Sequence, residues 1–197
     1  MSASCSCAEV RVGGNVYGRN LDLDCAMHGT GSAWWNAPEQ KRARQVESDR
    51  LRVLQFLSHA RRKYPDALPL RVLMCGSRHF ADKVRVDAVV RTISEMLHHD
   101  ASRHRVVLIA GGAQGADALA AAAGRRAGIE VNEFPADWQR HGRAAGPIRN
   151  QQMLDEGKPH LVIAFDASGR GTTDMVRRAK TAGVFVCVLD ADSTVTA

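Results

Sequence analysis

No run of apolar residues in this chain approaches the roughly 18–20 needed to cross a bilayer, so a membrane-spanning role is excluded from the reading. The opening Met1-Ser2-Ala3-Ser4-Cys5 has neither the basic nor the apolar region of a secretory leader, which makes the cytoplasm the expected compartment. Cysteines are few and odd in number, at 5, 7, 25, 75 and 187, which points away from a disulfide framework. Cys75 and Cys187 lie in apolar, strand-like runs and read as buried, inert thiols. Two nucleotide-binding signatures are also missing: no glycine turn runs into Gly-Lys-Ser/Thr, and the Gly-x-Gly-x-x-Gly spacing does not occur.

What is present is a chain of 197 residues, enough for one ordinary domain with an appendage, and 45% hydrophobic, which excludes wholesale disorder. The formal net charge is +6, with both signs mixed along the chain. That leaves nucleic acid open as a partner without singling it out. Arginine exceeds lysine and alanine is abundant, as in proteins from GC-rich bacterial or viral genomes. The sequence divides into a small N-terminal lobe (1–37), a charged amphipathic helix or linker (38–66) and a main domain (67–197).

In the lobe, Cys5 and Cys7 form one short-spaced pair, and Cys25 and His28 form a second after an intervening loop of seventeen residues. Two such pairs can close a tetrahedral shell, so a structural zinc is expected on Cys5, Cys7, Cys25 and His28, with His59 as an alternative fourth ligand. Reduced cysteines without metal and a redox pair are the competing readings. Glu9 to Leu23 alternates like a hairpin, and so small a segment needs metal to make up for its missing core. Metal analysis of purified protein is expected to find about one zinc per chain, and a folded, metal-free protein would remove the site. Trp34 and Trp35 follow, read as local core or as a partner contact. Asn36 and Pro38 then resemble a helix start, and Val46, Val53, Leu57, Ala60 and Tyr64 recur at helical spacing as far as Pro65.

The main domain alternates strand-like and helical segments. Strands are expected at Arg71–Cys75, Val106–Ala110, Glu130–Phe134, Leu161–Phe165 and Val184–Leu189, with helices from about Lys83 to His98 and from Met175 to Ala182. The pattern predicts an α/β fold, a Rossmann-like doubly wound parallel sheet, in which ligands bind beyond the carboxyl ends of the strands. Four of those ends carry polar, glycine-containing loops. Gly76, Ser77 and Arg78 follow the first strand. Gly111, Gly112, Ala113, Gln114, Gly115, Ala116 and Asp117 follow the second, opening an alanine-rich helix. The third leads into a long stretch with Trp138, Arg149 and Asn150. The fourth is followed by Asp166, Ser168, Gly169, Arg170, Gly171, Thr172, Thr173 and Asp174. Glycine turns that open helices present free N–H groups and a positive dipole end, which is a phosphate-binding arrangement. A phosphate-bearing ligand with a ribose and a base is expected, with Arg78, Arg149 and Arg170 for its charges, Asp117, Asp166 and Asp174 for hydroxyls, and Trp138 for the base.

These motifs, taken in order with Phe134-Pro135-Ala136-Asp137-Trp138, His141-Gly142 and Ala145-Gly146-Pro147-Ile148-Arg149-Asn150, resemble the YspA, cpYpsA-related branch of the SLOG superfamily over about residues 70 to 190. That superfamily includes the LOG phosphoribohydrolases, the DNA-processing protein DprA and nucleotide-sensing modules. The resemblance implies a Rossmann-like fold, a nucleotide-type ligand and a homo-oligomer. LOG enzymes hydrolyse the N-glycosidic bond of nucleoside 5′-monophosphates with an Arg in Arg-Lys-x-x-Met and a Glu in Pro-Gly-Gly-x-Gly-Thr-x-x-Glu. Here Arg149-Asn150-Gln151-Gln152-Met153 has Asn150 in place of the Lys, and Met175 stands where the Glu would be, with Asp174 one residue earlier. Arg149 and Asp174 are the catalytic candidates by resemblance. Three readings stay open: a module that senses or sequesters a nucleotide-derived ligand, a LOG-like N-glycosidase, and DprA-like nucleic-acid binding.

Overall fold

The computed structural model describes residues 8–12, 15–20, 36–65, 69–98 and 106–190. The chain divides into two units, Met1–Gln45 and Val46–Ala197. In the first, β1 (Ala8–Val12) and β2 (Asn15–Asn20) pair antiparallel, with a register shift between Val10 and Arg11. This is the hairpin that the alternation after Glu9 anticipates. The expected zinc ligands Cys5, Cys7, Cys25 and His28 lie outside the described residues, as do Trp34 and Trp35. Helix α1 spans Pro38–Lys63.

The second unit holds five strands: β3 (Leu70–Gly76), β4 (Val106–Ala110), β5 (Glu130–Glu133), β6 (Leu161–Phe165) and β7 (Phe185–Leu189). They are joined by α2 (Lys83–His98), α3 (Ala116–Arg126), the short α4 (Trp138–His141), a 3-10 turn at Gly142–Ala144, α5 (Ala145–Asp155) and α6 (Arg170–Thr181). All pairings are parallel, in the order β5-β4-β3-β6-β7. The chain winds outward from β3 through β4 to β5, then returns to the other side of β3 for β6 and β7. That reversal is the doubly wound topology, and it opens a crevice at the carboxyl ends of the central strands.

Alternation along the strands builds two cores. Val72 and Met74 of β3, with Leu108 and Ile163, face a layer containing Val53, Leu57 and Ala60 of α1 and Val86, Val89 and Ile93 of α2. Leu73 and Cys75, one residue out of step, face Met153 of α5 and Met175 and Ala179 of α6 with Ile109, Val162 and Ala164. Each fully buried Leu, Ile or Met side chain contributes about 1.5–3 kcal/mol, so these two layers fix the sheet as the platform for its loops. The second half of α1 is therefore part of the covering layer rather than a linker. Its apolar spacing predicts the face, and the charges at Arg50, Arg52, Arg61 and Arg62 conceal how deeply that face is covered.

Cys75 and Cys187 are buried free thiols. Burial pushes both up, Cys187 to about 12, so they stay neutral and act as packing groups. Helix α6 differs from expectation at its start, which falls at Arg170 and not near Met175. The Thr173 N–H donates to the Gly169 carbonyl at 2.9 Å, and Thr172 is buried, so Gly171, Thr172 and Thr173 form the first helical turn instead of an open loop.

Candidate functional site

The turn after β4 is shaped by close approach. Gly112 and Gly115 have φ of 66° and 78°, a region that favours glycine. At Gly115 a Cβ would also sit 2.6 Å from the Arg78 carbonyl oxygen, so the turn abuts the loop after β3. Gly111 has no room for a side chain either: a Cβ there would meet the Arg149 guanidinium and lie 2.7 Å from Asp117 Oδ2. Asp117 itself is buried in the first turn of α3, where its Oδ2 accepts from the Gly111 N–H at 3.1 Å. Burial raises the Asp117 carboxyl above its ordinary value, against Arg149 and the N–H groups of Gly111, Ala113 and Gly76, which favour its charge. Asp117 is a candidate for ligand hydroxyls by sequence. The structure places it under the turn, as the brace that holds Gly111.

Arg149 projects from α5. Its Nη1 donates to the Gly111 carbonyl, its Nε donates to Asn150 Oδ1 at 3.2 Å, and Nη1 lies 3.7 Å from Asp117 Oδ2. The side chain is 11% exposed. Burial lowers its affinity for the proton, Asp117 and Cys75 oppose that, and the neighbouring charge of Arg78 adds to it. Two guanidinium groups thus share one side of the crevice with a single buried carboxylate. Arg78 stacks over the Trp138 indole, with its guanidinium carbon 5.1 Å from the ring centroid. Trp138 opens α4, whose first turn is capped by Asp137 Oδ1 accepting from the Arg140 N–H at 2.9 Å. The tryptophan remains 49% exposed.

Between these groups lies a cavity of about 330 Å³. Gly111, Gly112, Ala113 and Gln114 line one side, and Arg78, Trp138 and Arg149 supply the charge and the aromatic surface. Pro135 and Ala136 complete it. Gln114, Pro135 and Ala136 lie outside the residues singled out for binding, although each sits in a stretch that the sequence marks as polar or unusually long. The volume is at the small end of ligand pockets. Its chemistry suits an anion: the glycine turn that leads into α3, the positive end of that helix, and two arginines.

The structure brings together Arg78, Gly111, Gly112, Ala113, Trp138 and Arg149. It does not bring Ser168, Gly169, Arg170, Gly171, Thr172 or Thr173 to the cavity lining. Their polar groups serve the turn after β6: Ser168 Oγ donates to Asp166 Oδ1 at 2.6 Å, and Thr173 Oγ1 donates to the Ala167 carbonyl at 2.7 Å. Asp166, at φ 51°, is held below its ordinary carboxylate range first by the Ser168 hydroxyl. Gly76 and Ser77 stand behind the Gly115 turn, where the Ser77 carbonyl accepts from the Ala116 N–H at 3.3 Å and a Cβ on Gly76 would lie 2.6 Å from the Ala116 Cβ.

Asp174, the catalytic carboxylate by resemblance, is outside the lining as well. Its Oδ1 accepts from Arg177 at 2.6 Å, and its Oδ2 accepts from Arg178 at 2.7 Å and from Asn150 at 3.1 Å. Partial burial pushes the carboxyl up, but the Arg178, Asn150 and Arg177 hydrogen bonds outweigh it and leave the group below its ordinary value. A carboxylate with three donors in place is poorly suited to take up a proton. Among the described residues no group of three His, Cys, Asp or Glu side chains is placed to hold a metal.

The chain is 38% identical over 122 residues to the Gene 61 protein of Mycobacterium phage D29, covering 58% of this chain and 91% of that protein. DNA processing protein A (DprA) from Streptococcus pneumoniae is similar in structure at a TM-score of 0.47 and 17% identity, over 60% of this chain and 49% of that one. The family model described as YspA, cpYpsA-related SLOG family matches residues 70–141, from β3 through the glycine turn to the end of α4. With its ordered loops and near-full coverage of the phage relative, the chain belongs to the YspA, cpYpsA-related SLOG family.

Proposed function

We propose that this protein binds a nucleotide or nucleotide-derived molecule and holds it without cutting it. Family membership supports a ligand-binding role of this general kind. In the proposal, a phosphate group rests on the N–H groups of Gly112 and Gln114, faced by Arg78 and Arg149, and a base lies against Trp138. The observation that carries the non-cleaving part is Asp174: the carboxylate nearest to the glycosidase pattern is engaged by Arg177, Arg178 and Asn150, away from the cavity lining. The brace Asp117 is engaged by the Gly111 N–H beneath the turn. Neither is free to activate water.

Replacing Trp138 with alanine tests the base subsite. Stacking on an aromatic face contributes about 1–3 kcal/mol per base, so affinity for a bound nucleoside monophosphate should fall roughly 5- to 150-fold. Affinity for inorganic phosphate should change less, since phosphate has no base to stack on the Trp138 ring. Equal losses for both probes would remove Trp138 from the base subsite.

The open rim favours a second reading. Trp138 lines the cavity and is exposed, and Arg140 and Arg143 are exposed on the same connection between β5 and α5, which is the combination of aromatic surface and positive charge used to hold single strands. The phosphate in the turn would then belong to the end of a nucleic acid strand. Affinity for a short single-stranded oligonucleotide well above that for a mononucleotide, falling steeply with salt, would select this reading.

A further inference from the structure

We infer that Asn150 is the positioning residue of this site: it sets the guanidinium of Arg149 without lining the cavity, and it ties that guanidinium to the first turn of α6. The inference rests on the anion-binding reading only for what Arg149 holds; the arrangement around Asn150 stands apart from it.

Asn150 is 3% exposed, and both ends of its amide are used. Its Oδ1 accepts from Arg149 Nε at 3.2 Å, and its Nδ2 donates to the Gly171 carbonyl and to Asp174 Oδ2, each at 3.1 Å. A flipped amide would set its N–H groups against the guanidinium and its oxygen against a carbonyl and a carboxylate. Every contact would become repulsive, so the amide has one orientation.

That orientation is anchored from behind. Asp174 is fixed by Arg178, and Arg178 Nη1 donates to Gln151 Oε1 at 2.7 Å, which returns the chain of contacts to the residue after Asn150. The other end acts on Arg149. A planar guanidinium held at Nε by Asn150 and at Nη1 by the Gly111 carbonyl has its plane fixed, with its remaining N–H groups left for the cavity that Arg149 lines. Without Asn150 the group keeps its contact with Gly111 and the charge of Asp117 and loses the second point that sets its plane. Asparagine suits this position because it supplies an acceptor and two donors within one buried group. A lysine there, as in the LOG pattern, has donors only and would face the Arg149 guanidinium with like charge.

The test uses the full chain, inorganic phosphate as the probe, and Asn150→Ala in two backgrounds. Against native Arg149, phosphate affinity should fall about tenfold; against Arg149→Lys, which keeps the charge but lacks the Nε–H that Asn150 holds, the same change should cost less than about twofold. A merely structural residue would weaken both backgrounds alike, and that result, or no effect in either, overturns the inference. A second readout needs no ligand. In protein labelled with 15N-arginine, the Arg149 Nε–H resonance should exchange slowly with solvent and lose that protection in Asn150→Ala; unchanged protection overturns the inference whatever the affinities. If Asn150→Ala does not fold, Asn150→Ser takes its place in both measurements. A native protein that binds neither phosphate nor any nucleotide ends the proposed function, while the resonance still decides the role of Asn150.

Discussion

Replacing Asp49 with alanine is expected to destabilise the protein by about 3–5 kcal/mol, against about 5–15 kcal/mol for the whole stability of a typical domain. Asp49 of α1 is fully buried and Arg85 of α2 nearly so. Arg85 Nε donates to Asp49 Oδ2 at 2.7 Å, and Nη2 donates to Oδ1 at 3.2 Å, a bidentate pair. The same Nη2 also donates to the Leu189 carbonyl at 3.2 Å, at the end of β7. One guanidinium thus ties two covering helices to the last strand. Removal of the carboxylate leaves a buried cation with the Leu189 and Asp190 carbonyls, the Phe80 ring and the charge of Asp166 as its surroundings, and most of the loss comes from breaking the bidentate pair. The double variant Asp49→Leu with Arg85→Met should recover much of it, because neither charge then stays buried alone. Urea or thermal unfolding of the three variants measures the cycle. A loss below about 1 kcal/mol for Asp49→Ala would mean that water or rearrangement reaches the pair.

The second large effect is at Gly111. A methyl group at this position meets the Arg149 guanidinium and comes within 2.7 Å of Asp117 Oδ2, so Arg149 has to leave the Gly111 carbonyl. Arg149 is then displaced from the cavity, and the N–H of residue 111 separates from the Asp117 brace. Nucleotide affinity should fall about a hundredfold or more, equivalent to about 2.7 kcal/mol. Stability should fall as well, because the buried Asp117 loses the Gly111 N–H and Arg149, so affinity is compared at a temperature where the variant is still folded. Isothermal titration beside a thermal melt separates the two quantities. Gly111→Ala with native affinity would mean that neither the glycine nor Arg149 belongs to the site.

The fold was largely legible because its signals are local. β4 and β6 are apolar runs bounded by glycine or polar residues, and both appear with the expected ends. α2 begins at Lys83 and ends at His98 as the spacing predicts. The glycine turn at 111–115 was legible for the same reason, since a strand, clustered glycines and an alanine run have one simple geometry. Long-range partners were not. Nothing near Asp49 announces Arg85, 36 residues later, and nothing near Gly111 announces that a guanidinium 38 residues away fills the space a Cβ would take. The turn after β6 shows why composition alone does not place a loop in the cavity lining. Gly169, Gly171 and the two threonines have the composition of a phosphate loop, but the same groups can satisfy their own backbone and start a helix, and here they do. Asp174 stood out because of a displaced motif, whereas its partners Arg177 and Arg178 lie three and four residues on, at the spacing of an ordinary helical ion pair.

The central claim is that a nucleotide-type anion is held intact between the Gly111–Gln114 turn, Arg78 and Arg149. Equilibrium dialysis of the native protein against a panel of nucleoside 5′-monophosphates, with chromatography of both compartments, tests it most directly. At least one mononucleotide should be retained saturably, recovered unaltered, and released when Gly111 is replaced by alanine. Free base accumulating in step with protein concentration, or retention that survives Gly111→Ala, would contradict it.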